Sequence, residues 1–66
     1  MRLLLNGAEL QLPDGSSVAD ALAAIGAPVA GVAVAVDDHV VPRAEWSGCR
    51  LRDGATVEVL TAVQGG

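Results

Sequence analysis

The sequence predicts an α+β domain, a mixed sheet with one main helix packed on one face. Short apolar segments separated by turn residues read as strands. A single segment, after the first pair of strands, combines helical spacing with a capping signature. The length, 66 residues, allows one small core and one domain, 1–66.

The elements follow in order. Leu3 to Leu5, then Asn6-Gly7, then Ala8 to Leu12 read as a hairpin. Asn-Gly between apolar segments favours a turn whose two central residues need positive φ. Leu10 and Leu12 alternate with Glu9 and Gln11, so one face of the second strand is buried and the other wet. Pro13-Asp14-Gly15 turns the chain. Ser17, with Asp20 three residues on, resembles a capping box in which Asp replaces Glu or Gln. Val18, Leu22 and Ile25 then share one helical face, with Ala21 beside them. Gly26 fits the left-handed position after a helix, and Pro28 prevents continuation.

Val32, Val34 and Val36 alternate with Ala33 and Ala35, which predicts a strand. Its second face is small and apolar, as in a central strand or one that receives a partner. Asp37-Asp38-His39 is read as a turn, and Val40-Val41 as a brief strand stopped by Pro42. Arg43 to Arg52 is irregular, with Trp46 its anchor. Asp53-Gly54 turns into a last strand, Thr56 to Val63. A ubiquitin-like β-grasp satisfies this order. It places the first and last strands side by side and parallel at the sheet centre. Leu3, Leu4 and Leu5, apolar on both faces, suit that position.

Composition narrows the function. Apolar residues make up 52% of the chain, with Trp46 the single aromatic. The formal charge is −4, lysine is absent, and the basic residues are Arg2, Arg43, Arg50 and Arg52. Without a basic stripe or aromatic platform, nucleic-acid binding is not expected. The acidic balance favours basic protein partners. No run has the length of a membrane span, and Leu3 to Leu5 is too short for a secretory leader. A cytoplasmic protein with a reduced thiol at Cys49 is the expectation. His39 has no second ligand near it in sequence, so no metal site is expected.

The candidate site is the end of the chain. Gly65-Gly66 directly follows strand-like sequence. Two glycines carry no side chains and let another backbone approach closely. They read as a flexible tail, 64–66, that presents the Gly66 carboxylate in another protein's active site. The plainer alternative is an inert terminus. Leu4, Ala33, Ala35 and Leu60 form the candidate apolar face away from the helix, because one helix covers one face of a sheet. Arg43 has two readings, a surface pair with Glu45 or Asp38, or a partner contact beside rigid Pro42. Cys49 reads as a small, partly buried residue, since a reactive thiolate requires a positive environment.

Taken together, these residues resemble the thiamine-biosynthesis sulfur carrier family (ThiS) over the whole chain. The resemblance is carried by Val32-Ala33-Val34-Ala35-Val36, by Val40-Val41-Pro42-Arg43 with Trp46 following, by Asp53-Gly54, and by Gly65-Gly66. Asp37 stands where that family often has Asn, a turn substitution that keeps the same geometry. The resemblance implies a carrier and co-substrate rather than an enzyme, with no bound cofactor. An E1-like adenylating enzyme would activate the Gly66 carboxylate with ATP. A cysteine desulfurase would supply persulfide sulfur that displaces AMP. The Gly66 thiocarboxylate would then donate sulfur to thiazole synthase. Three rivals share parts of this pattern: the small sulfur-carrier subunit of molybdopterin synthase, a ubiquitin-like protein modifier, and a plain interaction module with a passive tail. Lack of lysine excludes lysine-linked self-chains for the second. Val-Pro-Arg followed by Trp favours the thiamine branch.

Overall fold

The structure, a computed structural model, describes residues 1–27 and 30–61. Asn6 and Gly7 have φ of 51° and 81°. Both are positive, as a two-residue hairpin turn demands. They join β1, Arg2–Leu5, to β2, Ala8–Gln11. Leu3 and Leu5 are buried while Leu4 is exposed, so the period of two sends alternate leucines to opposite faces.

Helix α1 spans Val18–Ala24. Its capping box is formed as expected. The Ser17 hydroxyl accepts from the Asp20 N–H at 3.2 Å, and the Asp20 carboxylate accepts from the Ser17 N–H at 2.9 Å. Val18, Ala21 and Leu22 are buried. Ile25 is not part of that face. It is the C-cap residue, 41% exposed. The helix ends before Ile25 because Gly26 takes the left-handed φ of 69°, where the expected C′ glycine stands. Pro28, the expected stop, lies outside the described residues.

Strand β3, Val32–Val36, meets β4, His39–Val41, at a two-residue turn. Asp37 and Asp38 there have φ of 48° and 70°. His39 therefore opens β4 rather than sitting in the turn. Strand β5 is Thr56–Thr61. Residues 62 and 63, which the sequence places in the same strand, lie outside the described residues.

The strand order is β2-β1-β5-β3-β4. β1 and β5 are parallel and adjacent, and the other pairs are antiparallel. This is the mixed sheet and single helix of a β-grasp. Leu3, Val34 and Val57 from the sheet meet Val18 of α1 in the core, each essentially without exposed surface.

A seven-residue helix is too short to stand alone. The irregular segment after β4 supports it. A 3₁₀ turn, Arg43–Glu45, leads into Trp46, which is buried. The Trp46 indole N–H donates to the Val41 carbonyl at 2.8 Å. The Trp46 and Cys49 carbonyls accept from the Ala19 and Val18 N–H groups, at 3.1 and 2.9 Å. Together with Ser17, this segment satisfies the N–H groups that the first turn of a helix leaves without partners.

Candidate functional site

Gly65 and Gly66, the expected reactive end, lie outside the described residues. The structure instead shows what the tail grows from: the last turn of sheet around β5 and the sheet face away from α1.

Register places the outer face. Leu4 pairs with Glu9 and Thr56, Ala33 with Leu60, and Ala35 with Glu58 and Val40. Paired residues share a face. All four residues expected on an outer apolar face lie on it. Leu60 is 68% exposed and Leu4 45%. Ala33 is exposed and Ala35 half-buried. They do not form one patch. Leu60, Ala33 and Ala35 are contiguous, whereas Thr56 and Glu58 lie between them and Leu4. The patch gains a member that sequence reasoning missed, Val40, which is 76% exposed. Its signal was the turn length. A two-residue turn at Asp37-Asp38 fixes Val36 opposite His39, so Val40 must share the face of Ala35. At the β5 end, Gly31, Val32, Ala33, Leu60 and Thr61 line a shallow groove of about 320 Å³.

Arg43 lies on the 3₁₀ turn beyond β4, exposed. It forms no ion pair with Glu45 or Asp38; the ion pairs among the described residues join Met1 to Asp14 and Arg2 to Glu9. Cys49 is half-buried and packs against the core. His39 is exposed, and its Nδ1–H donates to the Asp37 carbonyl at 3.0 Å. Among the described residues, no three His, Cys, Asp or Glu side chains converge as a metal site. No helix of the described residues is long and apolar enough to cross a membrane.

Three turn side chains hold the strands in register. The Asp53 carboxylate accepts from the Arg2 N–H at 2.8 Å, where β1 begins. The Asp37 carboxylate accepts from the Thr56 N–H at 2.9 Å, where β5 begins. Asp serves at Asp37 as well as Asn because the site requires only an acceptor. Asn6 acts further along β5. Its Oδ1 accepts from the Val59 N–H at 2.8 Å, and its Nδ2 donates to the Val59 carbonyl at 3.0 Å.

These features define the class: a ubiquitin-like β-grasp domain with an apolar outer face beside the strand that leads to its diglycine. The family model described as ThiS family matches residues 2–66. The chain belongs to the ThiS family. It is 29% identical over 66 residues to the sulfur carrier protein ThiS of Escherichia coli (strain K12), covering 100% of both chains. The crystal structure of the thiamine biosynthesis protein ThiS from Geobacter metallireducens superimposes with a TM-score of 0.83, at 28% identity and 100% coverage of both chains. The solution structure of a thiamine biosynthesis protein from that organism gives a TM-score of 0.80 at 28% identity, over 100% of this chain and 88% of the other.

Proposed function

We propose that this protein carries sulfur for thiazole formation in thiamine biosynthesis, as a thiocarboxylate on Gly66. Family membership over residues 2–66, which includes the diglycine, is the observation that carries the reading. The sulfur-carrier name of the Escherichia coli relative supports it.

The chemistry explains the tail. A carboxylate is a poor electrophile. In the proposed cycle a partner adenylating enzyme joins the Gly66 carboxylate to the α-phosphorus of ATP, and pyrophosphate leaves. The terminal sulfur of a persulfide, supplied through a cysteine desulfurase, attacks the carbonyl carbon and AMP leaves. A thiol then cleaves the sulfur–sulfur bond and supplies the two electrons, freeing the thiocarboxylate. Gly65 and Gly66 leave the acyl carbon unhindered and narrow enough to enter a deep site. The protein contributes the acyl group and its transport, and catalysis belongs to its partners. Leu60, Ala33, Ala35 and Val40 are the proposed docking face, with Leu4 and Arg43 at its periphery. An exposed apolar patch at the end of β5 would bring the body against a partner as the diglycine is engaged.

Reconstitution tests the reading. Loaded protein mixed with thiazole synthase and its other substrates should yield thiazole containing the carried sulfur. Removal of Gly66 should abolish the transfer. Sulfur delivered only to a pterin precursor would move the assignment to molybdopterin synthesis. Activity that survives loss of Gly66 would overturn the carrier reading.

A further inference from the structure

We propose that Asn6 is a positioning residue for the tail, its side-chain amide standing in for the missing part of β1 and fixing the end of β5. In a regular parallel ladder, each strand supplies alternating acceptors and donors to its neighbour. β1 supplies them as far as the Asn6 N–H, which donates to the Val57 carbonyl at 2.9 Å. There the chain turns away with φ of 51° at Asn6. The next backbone groups of β5 on that side belong to Val59. They meet no backbone from β1. The Asn6 amide takes both, through its Oδ1 and Nδ2. The side chain adds one rung to a ladder that its own backbone has left.

The position of that rung gives it a function. On the β3 side, β5 is paired up to Thr61, opposite Val32. On the β1 side, the Asn6 amide is the last pairing among the described residues, two residues before β5 ends. Without it, the Val59 N–H and carbonyl have no partner in a nearly closed environment, since Val59 is 8% exposed. The strand end would then be held along one edge only. Residues 62–66 continue from that end. An amide is required because both a donor and an acceptor are used. Asn also tolerates positive φ, which Gln does not do as readily. This inference rests on the carrier reading. It adds that Asn6 acts through the strand, on the fraction of docked molecules whose Gly66 reaches the adenylating site.

The test compares the full-length parent with Asn6→Gly, Asn6→Asp and Trp46→Phe. Glycine keeps the turn and deletes the amide. Aspartate keeps the turn and the acceptor but loses the donor. Trp46→Phe loses a buried hydrogen bond to β4, two strands away from Val59 and on the opposite side from Asn6, and controls for general destabilisation. Loading by adenylating enzyme, ATP and a persulfide source is followed at a temperature where circular dichroism shows every variant folded. For Asn6→Gly, kcat falls about five- to thirtyfold, the population factor for losing two hydrogen bonds. KM stays within about twofold because the docking face is intact. Asn6→Asp recovers part of the loss, and Trp46→Phe loads like the parent. Amide exchange at Val59 accelerates in Asn6→Gly beyond the global change. Unchanged kcat in Asn6→Gly, or an equal fall in Trp46→Phe, overturns the positioning role and leaves the carrier reading standing. If the parent itself does not load, the carrier reading fails and this role fails with it.

Discussion

Replacing Trp46 by Phe removes one atom group with a defined task. The indole N–H donates to the Val41 carbonyl at 2.8 Å in a buried setting, and Trp46 is 6% exposed. Phe fills most of the space but cannot donate. The Val41 carbonyl keeps its ladder partner on β3, the N–H of the paired Val34, and loses its second donor. Losing that bond costs about 0.5–1.5 kcal/mol, and the void left by the smaller ring costs about 1 kcal/mol more. Domains carry roughly 0.05–0.15 kcal/mol of stability per residue, so this one holds on the order of 3–10 kcal/mol in total. A loss near 2 kcal/mol is thus a large share. For a domain of this size it lowers Tm by about 8–16 °C. Far-UV circular dichroism measures it, because the substitution removes the only indole. The damage should spread to α1, since the Trp46 carbonyl accepts from the Ala19 N–H. Amide exchange at Ala19 should rise more than at Leu5. A Tm shift below about 3 °C, less than 1 kcal/mol would give, would refute the reasoning.

Other outcomes follow from the same geometry. Ser17→Ala deletes the hydroxyl that accepts from Asp20, and chemical denaturation should show a loss of about 0.5–2 kcal/mol. Leu60→Glu changes a side chain that is 68% exposed, so stability should move by no more than about 0.5 kcal/mol. Affinity for the adenylating enzyme, measured by calorimetry, should nevertheless fall clearly; unchanged affinity removes Leu60 from the docking face. Cys49→Ser should leave the formation of Gly66 thiocarboxylate intact, and abolished loading would place the sulfur chemistry on the wrong atom.

Much of this fold was legible because its signals are local. Asn6-Gly7 specified a turn through φ, Ser17 with Asp20 specified a helix start, and the alternating valines of β3 specified a strand. Each depends on neighbours within a few positions. Spacing puts Ile25 on the helix face because spacing alone cannot say that a helix stops one residue early; Gly26 decides it. His39 reads as part of the turn because polar residues mark turns only on average, whereas paired positive φ at Asp37 and Asp38 closes it in two residues. Arg43 to Arg52 reads as irregular, yet it opens with the 3₁₀ turn Arg43–Glu45 and Arg50 forms an isolated bridge with Ser17. The segment's role was hidden, because carbonyls that cap a helix from a distant segment leave no trace in composition. The same holds for Asn6. A turn residue that also completes a parallel ladder, 53 positions away, looks identical in sequence to one that does not. Leu4, Ala33, Ala35 and Leu60 are legible as outer-face residues, but the place of Val40 among them and the separation of Leu4 by Thr56 and Glu58 need the register.

Intact-mass spectrometry with fragmentation is the most direct test of sulfur carriage. The protein is incubated with its adenylating enzyme, ATP and a persulfide donor. One oxygen exchanged for sulfur, mapped to Gly66, is the predicted result. An unchanged mass, or sulfur mapped to Cys49, contradicts it.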